Sequence, residues 1–202
     1  ATLEAQGKTV VVLASEGVPL ILLAVADTVK DSSRDAIAAL HGLGIETVML
    51  TGDNARTASA IARQVGIDEA LGGQLPEDKL QVIERFIREG RHIGMVGDGI
   101  NDAPALARAN IGFAMGAAGS DTAIETADVA LMDDDLGKVA RFVQLSRATR
   151  TVLVQNITLA LGIKAVFLGL TVVGYGTMWM AVFADMGASL IVVANGLRLV
   201  RR

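Results

Sequence analysis

The sequence predicts an α/β fold with a doubly wound parallel sheet, followed by a two-helix transmembrane hairpin. Short β-rich runs alternate with helical segments between residues 45 and 132, which is typical of parallel βαβ units. Two apolar runs of about 22 residues follow, and a helix of that length crosses a hydrocarbon core of roughly 30 Å. The charge changes at the same place, since residues 138–202 carry 8 Lys or Arg and 1 acid, whereas residues 1–137 carry 10 and 21.

This charge distribution bears on the class of partner. An acidic part followed by a basic, apolar part argues against nucleic acid as a partner and favours a lipid bilayer. The sequence contains no Cys, so no disulfide framework and no thiolate metal site lies within this stretch.

The first element is predicted to be a β-hairpin. Its two β-rich runs cover residues 7–14 and 19–26, joined by a turn at residues 15–18. We interpret residues 1–26 as the tail of a domain whose remainder lies upstream.

Helix and strand signals then divide the chain up to residue 137. Ser32 or Ser33 is predicted to be the N-cap of a helix over residues 34–43 that Gly44 closes. The same signals predict strands at 45–50, 93–96, 111–115 and 129–132. They predict a helix at 55–65 that Asn54 caps and a helix that begins at Pro76 and ends near Glu89. Two further helices are predicted, one after Pro104 and one at 121–126.

The most informative stretch is Gly-Asp-Gly-Ile-Asn-Asp-Ala-Pro at residues 97–104. A buried strand is predicted to end here, and a helix to begin near Asn101 or Asp102. Asp98 and Asp102 are thus placed at the carboxyl end of a strand, where open α/β sheets bind ligands. Because Mg²⁺ prefers carboxylate oxygens beside phosphate, the stretch predicts a Mg²⁺ site. A plain helix N-cap would need one acid and not the full pattern.

Two further segments are predicted to converge on the same site. Thr51 and Gly52 end a predicted strand, so the Thr51 hydroxyl and nearby backbone N–H groups can hold phosphoryl oxygens. Lys79 lies in the first turn of a predicted helix, and its charge can offset that of a transferring phosphoryl group. Each signal is weak alone, because a single Lys is usually a solvated surface residue.

The predicted spans, residues 152–173 and 178–200, are separated by Gly-Tyr-Gly and each carries one ionisable residue within its apolar part. Lys164 and Asp185 lie about 11 and 10 residues from Tyr175, hence roughly 15–16 Å from the turn and near the bilayer midplane. They could form a structural ion pair, or Asp185 could bind a cation while Lys164 serves as its counter-charge. Basic residues at both ends of the hairpin predict that both ends are cytoplasmic, in a multi-pass protein of the cell membrane.

Together these motifs resemble the haloacid dehalogenase superfamily, and more narrowly the phosphorylation domain of P-type ATPases. The matching segments are Thr51-Gly52-Asp53, Leu-Pro-Glu-Asp-Lys at 75–79 and the stretch at 97–104. The resemblance implies ATP and Mg²⁺ as cofactors. It further implies that Thr51 and Lys79 contact the phosphoryl group. In the same way, Asp98 would bind Mg²⁺, with Asn101 and Asp102 completing the site. Asp53 and Asp27 would lie near the nucleotide and the hinge.

The resemblance also implies a domain order and reveals one departure. Residues 1–26 would be the tail of a nucleotide-binding domain, 27–137 the phosphorylation domain, and 138–202 a basic linker helix with the two membrane helices. The family's nucleophile lies in an Asp-Lys-Thr-Gly-Thr segment, which this sequence lacks. We therefore expect the phosphorylated Asp upstream, and no ATP turnover by these 202 residues alone.

The membrane segments resemble the zinc-, cadmium- and lead-exporting class of heavy-metal (P1B-type) ATPases, through residues 156–164 and 184–188. That class implies Asp185 as a ligand of the transported divalent ion and Lys164 as its counter-ion. The leading hypothesis is the C-terminal part of such a pump. The alternatives are a membrane-anchored phosphatase of the same superfamily, to which mid-membrane charges are of no use, and a non-catalytic membrane scaffold, which would not need intact Thr51 and Lys79.

Overall fold

The structure is a computed structural model that describes residues 9–25, 29–97, 100–116, 121–133 and 135–201. The chain forms two compact units, Ala1–Ala140 and Arg141–Arg202. The predicted Asp98 and Asp27 lie outside the described residues.

The first unit begins with the predicted β-hairpin. Strands β1 (Thr9–Ser15) and β2 (Val18–Val25) pair antiparallel, with Ser15 opposite Val18. The two turn residues, Glu16 and Gly17, have φ values of 50° and 82°, as the tight turns of two-residue hairpins require. The large apolar side chains of both strands are about half exposed, among them Val11, Leu13, Leu20 and Leu22.

The α/β part follows in the predicted alternation. Its elements are α1 (Asp31–Gly42), β3 (Val48–Leu50), α2 (Ala55–Val65), β4 (Glu69–Leu71), α3 (Pro76–Arg88), β5 (Gly94–Gly97), α4 (Ala103–Arg108), β6 (Ile111–Met115), α5 (Asp121–Thr126) and β7 (Val129–Leu131), with a 3₁₀ turn at Ile100–Asp102 before α4. β3 pairs with β4, and β5, β6 and β7 form a three-stranded sheet in that order. All these pairs are parallel.

Helices cover both faces of the three-stranded sheet. Successive side chains of a strand point to opposite faces. Phe113 of β6 packs in a core with Ile37 of α1, whereas the next residue, Ala114, packs with Ile83 of α3 and Leu106 of α4. The sheet is therefore doubly wound, as predicted, and the carboxyl ends of parallel strands are where such folds bind ligands.

The Asn54 cap is confirmed, but two local predictions are wrong. Asn54 accepts hydrogen bonds from the backbone N–H groups of the first turn of α2. α1 begins at Asp31 with Lys30 at the N-cap, not at Ser32 or Ser33, because Lys30 is the last extended residue and the Asp31 carboxylate favours the first turn. Strand β4 was missed, since three residues beginning with Glu69 carry no alternation that marks a strand.

The second unit contains most of α6 and all of α7. Helix α6 (Gly137–Val172) is one continuous 36-residue helix where the sequence predicts a linker helix and a separate span. No Pro or Gly lies between residues 138 and 161 to divide it. Helix α7 (Met178–Leu197) follows a turn in which Gly174 has a φ of 91°. Both helices are long and apolar enough to cross a membrane.

Candidate functional site

Thr51 lies directly after β3, and the segment after β4 holds its backbone. The Thr51 N–H donates to the carbonyl of Leu71 at 3.0 Å, and the Thr51 carbonyl accepts from the N–H of Gln74 at 2.9 Å. The Thr51 hydroxyl oxygen accepts from the Asp53 N–H at 3.1 Å, which closes a tight turn around Gly52. The strand ladder therefore continues into the predicted phosphate loop and fixes its backbone.

A glycine pair supports this turn from the other side. The Gly73 N–H donates to the carbonyl of Asp53. A Cβ added at Gly72 would lie 2.6 Å from Ala55 Cα and 2.8 Å from the Asp53 carbonyl oxygen, so only glycine fits there. The sequence motifs did not predict this role of Gly72. The signal that could have shown it is the Gly-Gly pair four residues before a helix that begins with Pro76.

Lys79 and Asp102 form the ion pair at the centre of the site. The Lys79 Nζ lies 2.8 Å from Asp102 Oδ1, and the two side chains are only 15% and 13% exposed. The start of α3 is fixed because the Asp78 carboxylate accepts from the Leu75 N–H at 3.0 Å. Residues 23 positions apart thus converge, as their placement at a helix start and a strand end predicts.

Gly97, the last residue of β5, allows Asp102 to approach the strand. A Cβ added at Gly97 would lie 2.8 Å from Asp102 Cβ and 3.0 Å from its Oδ2. The carboxylate is therefore held between the strand backbone and the Lys79 ammonium. Any larger residue at position 97 would push Asp102 away from the carboxyl end of β5.

A carboxylate is the kind of hard oxygen ligand that Mg²⁺ prefers, and Asp102 is the predicted carboxylate ligand that lies within the described residues. Asp102 offers a buried carboxylate that already requires a cationic partner, and Lys79 provides that partner. Within the described ranges, no group of three or more His, Cys, Asp or Glu side chains lies close enough to hold a metal ion. Asp98 lies outside those ranges, while Asn101 and Asp53 are both exposed to solvent.

The hairpin brings together Lys164 and Asp185, the two residues predicted to lie near the bilayer midplane. Lys164 Nζ of α6 lies 3.7 Å from Asp185 Oδ1 of α7, and both side chains are mostly exposed within this unit. Two residues 21 positions apart in the chain thus meet across the hairpin, which is the pairing that equal distance from the turn predicts.

A second polar cluster joins α1, β3 and β4. Asp68 accepts hydrogen bonds from the Thr47 N–H at 2.8 Å and from the Thr47 hydroxyl at 2.9 Å, and it pairs with His41 Nε2 at 2.9 Å. The Thr47 hydrogen bonds, aided by His41, hold the pKa of Asp68 below its ordinary value. His41 thus has a structural role, because it ties the end of α1 to the segments that precede β3 and β4.

The comparisons agree with this geometry. The family model of haloacid dehalogenase-like hydrolases matches residues 1–110. A probable cadmium-transporting ATPase of Alkalihalophilus pseudofirmus is 51% identical over 201 residues, which cover 99% of this chain and 28% of that protein. A copper-exporting P-type ATPase of Bacillus subtilis is 47% identical over 197 residues, covering 98% of this chain and 24% of that protein.

A solved structure gives the same result. The crystal structure of a zinc-transporting PIB-type ATPase in the E2·Pi state matches with a TM-score of 0.86 and 45% identity, covering 98% of this chain and 32% of that one. The chain thus matches heavy-metal P-type ATPases over nearly its whole length while spanning about 28% of the length of the first of these relatives. The resemblance predicted from the three motifs is confirmed.

Proposed function

Because this chain belongs to the haloacid dehalogenase-like hydrolase family, we propose that it is the C-terminal part of an ATP-driven pump that exports Zn²⁺, Cd²⁺ or Pb²⁺ through an aspartyl-phosphate intermediate. The nucleophilic Asp and the remaining membrane helices belong to upstream parts of the same polypeptide. The observation that carries the proposal is the Lys164–Asp185 pair, because ionisable residues inside membrane helices are rare and commonly mark the path of a transported ion.

The first unit handles the phosphoryl group in this proposal. The Thr51 hydroxyl and the backbone N–H of Gly52 bind phosphoryl oxygens, and the Lys79 ammonium offsets their charge. Asp98 and Asp102 hold Mg²⁺, with Asn101 beside them. When bound, Mg²⁺ neutralises negative charge that develops on the phosphoryl oxygens.

We assign the domains and the nucleotide-side residues from the same resemblance to P-type ATPases. Residues 1–26 are the tail of a nucleotide-binding domain and 27–137 form the phosphorylation domain. Asp53 lies on the nucleotide side of the site, and Asp27 lies at the hinge. ATP supplies the phosphoryl group, and the nucleophile that receives it lies outside this chain.

The second unit contributes to the ion path. We assign α7 and the part of α6 from residue 152 onward to the membrane, with both ends of the hairpin in the cytoplasm because basic residues flank them. Asp185 is a ligand of the transported ion, and Lys164 balances its charge when the site is empty. An isolated charge at this depth would cost about 2.5–3.5 kcal/mol, so each residue also offsets the cost of the other.

We propose a divalent ion because of the Asp185 carboxylate and not because of sequence identity, since a cadmium-transporting and a copper-exporting relative are similarly identical to this chain. A carboxylate suits a divalent cation such as Zn²⁺, whereas Cu⁺ prefers thiolate and thioether ligands. The anchored phosphatase that the sequence also allowed would have no use for the Lys164–Asp185 pair.

The test uses the full-length protein in lipid vesicles with ATP and added Zn²⁺, Cd²⁺ or Pb²⁺. We expect divalent ions to stimulate ATP hydrolysis and Asp185→Ala to abolish that stimulation. The matched control is Asp35→Ala, which removes an exposed carboxylate of α1 and should leave stimulation intact. Undiminished stimulation of Asp185→Ala, or stimulation by Cu⁺ alone, would contradict the proposal.

A further inference from the structure

Asn195 of α7 connects the two helices of the hairpin through its side-chain amide. Its Nδ2 donates to Gln155 Oε1 at 3.2 Å and to Asn156 Oδ1 at 2.9 Å, both on α6. Its Oδ1 accepts from Arg198 Nη1 at 3.1 Å. Both hydrogens and one acceptor site of the Asn195 amide are therefore in use. We call Gln155, Asn156 and Asn195 the amide clamp.

The ion pair of the hairpin cannot set the helix register by itself. The 3.7 Å between Lys164 Nζ and Asp185 Oδ1 exceeds the 2.7–2.9 Å of a charge-assisted hydrogen bond. The attraction between the two charges therefore depends little on their relative orientation. The lysine side chain is also long and flexible, so it can follow the carboxylate if α7 slides or rotates. Amide hydrogen bonds weaken steeply when distance or angle changes, and the clamp is therefore more sensitive to register.

The clamp and the pair lie at different levels of the same hairpin. Asn156 precedes Lys164 by eight residues, and Asn195 follows Asp185 by ten, so the clamp lies about 12–15 Å from the pair along the helices. At the other end, the turn at Gly174 joins the helices. The pair is thus held between a covalent turn and a directional hydrogen-bonded contact.

We propose that the amide clamp fixes the register of α7 against α6 and thereby holds Asp185 across from Lys164. Asn195 is then a positioning residue for the transported ion, which it does not touch. This inference rests on the proposed function. A clamp that only stabilised the hairpin would affect folding and yield, whereas a positioning clamp also changes the affinity of the site for its ion.

The experiment measures Zn²⁺-stimulated ATP hydrolysis by the full-length protein in vesicles. Asn195→Leu keeps a similar volume and removes the hydrogen bonds. We expect it to raise the Zn²⁺ concentration for half-maximal stimulation by about 3- to 20-fold, the range that measured interhelical hydrogen bonds in membranes imply. The maximal rate should change by less than about twofold, because the phosphate site is untouched.

Two further variants separate positioning from general disruption. Asn156→Leu should give a smaller shift from the opposite helix, because it removes one of the two bonds that Asn195 donates to α6. The double variant with Asn195→Leu should be no worse than Asn195→Leu alone, because that variant already removes the shared contact. Thr151→Val is the control. It removes a hydroxyl that bonds within α6, to the Arg147 carbonyl at 2.9 Å, and should shift nothing.

The possible results separate this inference from the proposed function. If the wild type responds to Zn²⁺ and Asn195→Leu keeps the same half-maximal concentration, or if the two single effects add in the double variant, the clamp does not position Asp185. If the wild type does not respond to any divalent ion, the proposed function fails and this inference fails with it. Should Asn195→Leu not fold, Gln155→Leu removes a single bond, and an unchanged half-maximal concentration there overturns the clamp.

Discussion

Replacing Lys79 tests whether the buried ion pair holds the candidate site together before any ligand binds. Lys79→Met keeps the length of the aliphatic chain and removes the charge. Asp102 would then be a carboxylate that is 13% exposed and has lost its cationic partner at 2.8 Å. We expect the segment around Asp102 to be destabilised even without ATP or metal.

The magnitude follows from burial. Removing one partner of a fully buried pair costs about 3–5 kcal/mol, and a hydrogen bond to a charged group contributes about 1.5–3 kcal/mol. Since water still reaches 13–15% of each side chain, we place the cost at about 2–3 kcal/mol. This corresponds to about a 30- to 150-fold rise in the local opening constant.

Hydrogen exchange measures this opening directly in the full-length protein in detergent, without ATP or Mg²⁺. Amides of β5 and α4 should lose about 30- to 150-fold in protection in Lys79→Met. The double variant Lys79→Met with Asp102→Asn should recover most of it, because no unpaired charge remains. Lys138→Met is the matched control, since its pair with Asp133 is exposed and contributes at most about 1 kcal/mol.

Two outcomes would refute this reasoning. Unchanged protection in Lys79→Met would mean that the pair contributes nothing before ligands bind. A double variant less protected than Lys79→Met would mean that Asp102 is stabilised by something other than the Lys79 charge.

Two further predictions concern the supports of the site. Gly72→Ala places a Cβ within 2.8 Å of the backbone at Asp53 and Ala55. It should lower the free energy of unfolding by about 1–3 kcal/mol and reduce acyl-phosphate formation by the full-length protein. The control Gly42→Ala, with no atom within 4 Å of its added Cβ, should be neutral or stabilising. Asp68→Asn should lower the thermal midpoint at pH 7. Because the pKa of Asp68 is lowered in the folded protein, the carboxylate contributes its full stabilisation above the ordinary pKa of 3.8, and this stabilisation is lost as pH falls below it. The difference in thermal midpoint between Asp68→Asn and wild type should therefore shrink at acidic pH. A difference independent of pH would contradict the lowered pKa of Asp68.

The sequence predicted the parts of the site that depend on periodicity and strand ends. Apolar runs identified strands β5 and β6, and the rule that ligands bind at the carboxyl ends of parallel strands brought Lys79 and Asp102 together. Helix length alone placed Lys164 opposite Asp185.

The remainder depends on contacts between segments that have no local signal. Nothing in Glu-Ala-Leu marks β4 as a strand, and the role of Gly72 exists only because Ala55, 17 residues earlier, packs against it. The amide clamp could not be predicted from the sequence for the same reason. Asn195 carries no charge, and its partners lie 39 and 40 residues away.

The β1–β2 hairpin has a practical consequence for work with this part of the chain. Its apolar side chains, Val12 and Leu23 among them, stay about half exposed, and no third strand from the described part of the chain pairs with the outer edge of either strand. Such edges recruit further strands, and exposed apolar faces associate. Recombinant material that starts at this hairpin would therefore tend to self-associate on purification. Starting the chain after Val25 would remove this contribution, whereas the exposed apolar surface of α6 and α7 would remain.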